Sequence, residues 1–166
     1  MARHPGGTAT VAAVTQGTAT RIVVRRTVSA PAAEVFAVLA DPARHPEIDG
    51  SQLVRAAVDS RPLSAVGDVF TMEMTRAGRD YLTENQVTVF KADRRIAWTT
   101  ALPGDDPSGF FWAWELLAED ALTTEVVHTY DWSAVTDPAV LARVTFPRIS
   151  AAQMQQTLDR LAAAVS

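Results

Sequence analysis

His128 and Tyr130 carry side chains that could perform acid–base chemistry. They stand two positions apart in the β-branched stretch 122–133, so a strand there would point both to one face. A histidine can exchange a proton near neutral pH and a tyrosine can polarise a carbonyl, as an aldol-type cyclisation or dehydration requires. The alternative is a pair that is hydrogen-bonded inside a sheet. The sequence favours this alternative, because its spacing marks no nucleophile and no third orienting residue.

Aromatic residues alternate along three predicted strands. Trp112 and Trp114 share a face within 110–117, Trp98 shares one with Ile96 and Thr100, and Trp132 lies on the face of His128 and Tyr130. These rings either fill the core or line an apolar cavity that has a few polar groups. We expect the set to line a cavity, because an indole N–H needs a partner and so often lies beside a polar space.

Arg26 and several flexible side chains complete the predicted binding residues. Arg26 shares the parity of Val24 and Val28, so it could meet a ligand carboxylate or form an ion pair with an acidic neighbour. Methionine adapts to ligands of varied shape, although each could equally be core. Phe70, Met72 and Met74 alternate along a strand predicted at 66–76, which a turn at 77–80 joins to the next strand at 81–91. Met154 lies on the apolar face of the predicted last helix.

Other polar residues are interpreted as structural. We expect His45 to be an exposed loop residue, and we expect Asp105 and Asp106 to form a solvated turn, because no third metal ligand follows at a regular offset. The loops 59–65 and 102–109 could gate the mouth of a cavity.

Composition excludes several classes of site. The 166 residues contain no cysteine, so disulfides, thiolate metal sites and cysteine nucleophiles are excluded. The three histidines are far apart, and we expect neither a metal nor a cofactor. The net charge of −4 lacks the excess of positive charge that is typical of nucleic-acid-binding proteins. The sequence contains no run of 18 apolar residues that would predict a membrane span, so we expect a cytoplasmic protein. Nothing in the sequence indicates an oligomeric state.

The elements that must position these side chains form one α+β domain. We expect a strand at 21–28, short helices within 29–50, six antiparallel strands between 51 and 133, and a capped amphipathic helix from Ser150 to about Val165. Ser29 is the predicted cap of the first helix. Residues 1–20 are interpreted as a flexible leader to the domain 21–166. A curved sheet that grips one helix leaves a concave, mostly apolar space.

Several stretches resemble START-like proteins of the SRPBCC superfamily, which includes polyketide cyclase/dehydrase and lipid-transport members. They are R-T-V-S-A-P-A-A-E-V-F-A-V-L-A-D-P-A-R-H-P-E (26–47), V-G-D-V-F (66–70), K-A-D-R-R-I-A-W (91–98) and the capped terminal helix. The resemblance implies a helix-grip fold, in which a curved seven-stranded antiparallel sheet wraps around a C-terminal helix and encloses a cavity for a hydrophobic ligand. The metal motif of the hydroxylase members has no counterpart here.

The resemblance leaves three functions open. The first is binding or transport of a small hydrophobic ligand, such as a lipid, isoprenoid or polyketide. The second is a cyclase/aromatase-like enzyme that uses His128 and Tyr130 on a poly-keto substrate. The third is a protein-interaction or chaperone-regulator role, which would need a large exposed apolar patch. We expect the first, because the sequence marks no catalytic constellation.

Overall fold

Residues 19–166 form one antiparallel sheet of seven strands, as expected from the sequence. The computed structural model describes residues 19–166, so the predicted leader lies outside the described residues except for its last two. The strand order is β1-β7-β6-β5-β4-β3-β2, so each of the last six strands pairs with its neighbour in sequence and β1 closes the far edge. The strands are β1 (Arg21–Val28), β2 (Val54–Val58), β3 (Val69–Arg76), β4 (Arg79–Lys91), β5 (Arg95–Ala101), β6 (Phe111–Asp120) and β7 (Thr123–Asp131).

The register of the sheet places the predicted aromatic faces side by side. Trp98 of β5 lies opposite Trp112 of β6, which lies opposite Tyr130 of β7. The next row brings Trp114 opposite His128. Register shifts interrupt three of the strand pairs, and such bulges increase the local twist and bend of a sheet. The aromatic rows therefore lie together on the inner face of a curved sheet.

Short helices and one long helix cover that inner face. They are α1 (Ala32–Leu39), α2 (His45–Ile48), α3 (Pro138–Arg143) and α4 (Ala151–Val165), and a 3₁₀ turn at Pro42–Arg44 leads into α2. A capping box starts α4, since the Ser150 hydroxyl accepts from the Gln153 amide and the Gln153 side chain accepts from the Ser150 amide. Met154, Leu158 and Leu161 of α4 are buried. The helix lies against β1, α1 and α2.

Two predicted boundaries are wrong. Pro31, not Ser29, occupies the cap position of α1, and no side chain caps that helix. The third strand begins at Val69 rather than Val66, because the Asp68 carboxylate accepts from the amides of Ser64 and Ala65 and holds a turn there. Within residues 19–166, no helix is both long and apolar enough to cross a membrane.

Candidate functional site

A cavity of about 370 Å³ lies between the inner face of the sheet and the helices. Its wall includes residues of α1, α2, α3 and α4, of every strand from β2 to β7, and of the loop 102–110. Nine of the eleven residues predicted to bind ligand line it: Phe70, Met72, Met74, Trp98, Trp112, Trp114, His128, Tyr130 and Met154.

Arg26 does not line the cavity. It lies on β1, which α4 covers, and its guanidinium forms an ion pair with Asp159 of α4. Both side chains are partly exposed. Of the two roles predicted for Arg26, the structure shows the ion pair with an acidic neighbour and not the contact with a ligand carboxylate.

Trp132 also lies outside the lining, although it is buried. Its ring stacks on Phe146 with centroids 6.0 Å apart and packs against Tyr130 at 5.0 Å. It follows the last residue of β7, where the alternation continues but the chain leaves the sheet. Trp132 therefore supports the wall of the cavity from behind.

Stacked rings of β6 and β7 form one part of the wall. The rings of Trp112 and Tyr130 are parallel within 6° and their centroids are 4.0 Å apart. The rings of Trp114 and His128 are parallel within 14° at 3.5 Å. Each pair joins residues that are directly opposite in the register, and such cross-strand pairs stabilise a sheet.

His128 is held in its neutral form. It is buried, and its Nδ1–H donates to the carbonyl oxygen of Ala113 at 3.1 Å, which leaves Nε2 as an acceptor. Burial lowers the pKa of His128 to about 3, and the hydrogen bond to Ala113 opposes this shift without compensating for it. His128 is therefore a weak base at neutral pH.

Tyr130 presents a protonated hydroxyl. Its side chain is fully buried, and among residues 19–166 the hydroxyl has no hydrogen-bond partner of ordinary geometry, although the backbone of Arg148 lies beside it. Burial raises the pKa of Tyr130 to about 12, against the opposing effects of the Arg148 backbone and of the charges on Arg148 and Arg76. The hydroxyl is thus a hydrogen-bond donor at physiological pH.

The prediction that His45 is an exposed loop residue is wrong. His45 is the first residue of α2 and is buried, and its Nε2–H donates to the Leu39 carbonyl at 2.8 Å. Its ring stacks on Trp98 at 5.3 Å, and it lines the cavity. Burial lowers its pKa as well. The spacing of His45 and Ile48, three apart after a proline-started 3₁₀ turn, is a signal that could have indicated a buried helical face.

A polar strip on β4 and β5 was predicted only in part, because Thr100 was placed on the face of Trp98 while Thr83 and Asn85 were missed. The Asn85 amide donates to the Phe70 carbonyl and to the Thr83 hydroxyl, and the Thr100 hydroxyl donates to Asn85 at 2.8 Å. All three polar side chains line the cavity. Thr83 and Asn85 share the parity of the buried Val87, which is the signal that places them inside.

Of the two loops predicted to gate a cavity mouth, only one contributes lining residues. Leu102, Asp105 and Ser108 of the loop 102–109 line the cavity. The loop 59–65 contributes none, because Leu63 is buried in the core and its amide donates to the Ala40 carbonyl. Within residues 19–166, no three histidine, aspartate or glutamate side chains lie together as a metal site would require.

Comparison with known proteins identifies the family. The sequence pattern of the family described as polyketide cyclase / dehydrase and lipid transport matches residues 19–166. The chain belongs to this family. The resemblance that was based on 26–47 and the later motifs is therefore confirmed.

Relatives of this chain include a longer protein. The uncharacterised protein Rv0088 of Mycobacterium tuberculosis is 33% identical over 138 residues, which cover 81% of this chain and 59% of the relative. The chain thus spans about three fifths of the length of that curated relative.

Solved structures show the same fold at low sequence identity. A protein from Arthrobacter aurescens, 16% identical, superposes with a TM-score of 0.63 over 94% of this chain and 92% of that one. The Zhui aromatase/cyclase from Streptomyces sp. R1128, which is 18% identical, superposes with a TM-score of 0.54 over 87% of this chain and 84% of that one. At these sequence identities the similarity establishes the helix-grip fold but says nothing about the activity.

Proposed function

We propose that the chain binds a small hydrophobic ligand in the cavity beneath α4. The observation that carries the proposal is a space of about 370 Å³ whose wall is built mainly from aromatic, methionine and aliphatic side chains. This volume is within the range of ligand pockets, and such pockets combine apolar walls with a few placed polar groups. Here those polar groups include the strip of Thr83, Asn85 and Thr100 and the Tyr130 hydroxyl.

The state of His128 supports binding over acid–base catalysis. An efficient general base has a pKa near the working pH, whereas His128 has one of about 3. Its Nδ1–H is bonded to a backbone carbonyl rather than to a carboxylate that would stabilise an imidazolium. A cyclase that depends on His128 as its acid or base is therefore the weaker interpretation of the same cavity.

A filled-cavity variant tests the proposal. Met74 lines the cavity from β3, while the adjacent Glu73 is exposed on the opposite face. We expect Met74→Trp to weaken the binding of a neutral apolar dye such as Nile red by roughly tenfold or more, because the larger ring takes up ligand space. Glu73→Trp is the matched control and should leave the affinity unchanged. Fluorescence titration measures both, with circular dichroism as the check on folding. Equal affinity in wild type and Met74→Trp would contradict the proposal.

A further inference from the structure

Two arginines line one region of this largely apolar cavity. Arg76 is the last residue of β3, and Arg148 lies just before α4, so the curvature of the sheet and the α3–α4 connection bring them to a common wall. The Nη1 atom of Arg76 is buried, and among residues 19–166 it has no hydrogen-bond partner. A buried guanidinium nitrogen without an acceptor is costly, so its position requires an explanation.

The Tyr130 hydroxyl belongs to the same region. It is fully buried, its O–H has no acceptor among residues 19–166, and the backbone of Arg148 and the charges of both Arg76 and Arg148 reach it. We name these three residues the arginine corner. It offers two guanidinium groups and one hydroxyl donor.

Within the described residues, the positive charge of this corner is not balanced by an ion pair. The cavity wall contains three arginines and two aspartates, although the whole chain has a net charge of −4. The Asp49 carboxylate is hydrogen-bonded to the backbone rather than to these arginines, since it accepts from the amides of Ser51 and Val54. No carboxylate among residues 19–166 forms an ion pair with Arg76 or Arg148.

We propose that the arginine corner binds the anionic head group of the hydrophobic ligand, a carboxylate or a phosphate, while the apolar wall holds the tail. The inference rests on the proposed function and adds the chemical class of the ligand. Guanidinium groups suit planar, multivalent recognition of carboxylate and phosphate oxygens. The Tyr130 hydroxyl would donate a further hydrogen bond to the same oxygens.

A matched set of twelve-carbon probes tests the head group. Dodecanoate, dodecyl phosphate, 1-dodecanol and dodecylammonium share one tail, and each is titrated against bound Nile red below its micellar concentration. We expect the two anions to bind roughly tenfold or more tightly than the alcohol, and the cation to bind most weakly. The tighter of the two anions identifies carboxylate or phosphate as the preferred group.

Variants assign that preference to the corner. Arg76→Met and Arg148→Met should each bring the affinity for the preferred anion close to that for 1-dodecanol, with 1-dodecanol itself little changed. Arg79→Met is the matched control, because Arg79 lies opposite Arg76 in the same hairpin but is exposed. Tyr130→Phe keeps the ring that stacks on Trp112 and should reduce anion binding by a smaller factor.

Thermal unfolding separates a binding role from a structural one. Removing one of two unpaired like charges should leave the melting temperature of the ligand-free protein unchanged or raise it. If Arg76→Met instead lowers the melting temperature and weakens all four probes equally, the inference is overturned. Equal binding of dodecanoate, dodecyl phosphate and 1-dodecanol to wild type overturns it too, while leaving the hydrophobic-ligand proposal intact. If none of the probes binds, Nile red included, both proposals fail.

Discussion

His128 makes the stability of the fold depend on pH. Its pKa is about 3 in the folded protein and near 6.5 in an unfolded chain, so below pH 6.5 the unfolded state takes up a proton that the folded state does not. The free energy of unfolding should therefore fall by up to about 1.4 kcal/mol per pH unit as the pH drops from 6.5 towards 3. The Phe ring of His128→Phe could still stack on Trp114 but cannot titrate.

Urea unfolding at several pH values measures this contribution. Between pH 6.5 and 4, we expect the free energy of unfolding of His128→Phe to depend less steeply on pH than that of wild type, by the amount that corresponds to roughly one bound proton. The variant should therefore lose less stability in acid than wild type does. His45→Phe should act in the same direction, since burial lowers the pKa of His45 also. The same slope in wild type and in His128→Phe would show that His128 is not held neutral.

Strand alternation accounts for which site residues could be predicted. Trp112, Trp114, His128 and Tyr130 follow from period-two faces alone. Arg76 is the last residue of β3 and lies on the same strand face as Phe70, Met72 and Met74. Its position inside the cavity could therefore have been predicted by extending that alternation to the end of the strand. Arg148 had none, because it lies in an irregular segment whose direction is set by how α3 and α4 pack rather than by a local period.

At the scale of elements, Gly50 controls how closely α2 approaches α4. A β-carbon on Gly50 would lie 2.4 Å from the backbone oxygen of Gln153 and 2.7 Å from the backbone nitrogen of Thr157. The Gly50 amide donates to the Thr157 hydroxyl at 2.9 Å, and Arg160 of α4 donates to the Asp49 carbonyl. Since backbone cannot move aside like a flexible side chain, the two helices meet only because this residue has no side chain.

Gly50→Ala should therefore separate the two helices. We expect a loss of roughly 1–3 kcal/mol in the free energy of unfolding, as for other overpacked contacts, together with weaker Nile red binding, because both helices line the cavity. Gly67→Ala is the comparison: its added methyl group meets nothing within 4 Å, so it strains only its own positive-φ backbone and should leave dye affinity unchanged. Unfolding curves and dye titrations that give the same result for both variants would show that α2 does not need this close approach.

The elements themselves were predictable where local chemistry dominates. The hairpin between β3 and β4 was predicted from the turn signal at 77–80. The turn itself is shorter, since only Ala77 and Gly78 separate the strands, and both have the positive φ that a type I′ turn requires. The capped α4 follows from Ser150 and Gln153. The start of β3 at Val69 did not follow, because the turn before it depends on hydrogen bonds from the Ser64 and Ala65 amides to Asp68, which no period in the sequence marks.

At the scale of the whole molecule, a ligand that fills the cavity should stabilise the entire fold. The wall includes residues of six strands and of the four helices described in residues 19–166, so a molecule that fills the cavity would contact both layers and would bind only the folded state. A ligand at 100 times its dissociation constant adds about 2.7 kcal/mol to the free energy of unfolding. For a domain of this size, each kcal/mol raises the melting temperature by about 2–4 °C, so we expect an increase of roughly 5–10 °C.

Scanning calorimetry with increasing 1-dodecanol or dodecanoate measures that increase. It should grow with the logarithm of ligand concentration once the site is saturated, as linkage requires of any ligand that prefers the folded state. Glu73→Trp should show the full increase and Met74→Trp little of it, because only the second change takes up space within the cavity. An increase of equal size in Met74→Trp would place the bound molecule elsewhere on the protein, since a site outside the cavity would not respond to a ring inserted from β3.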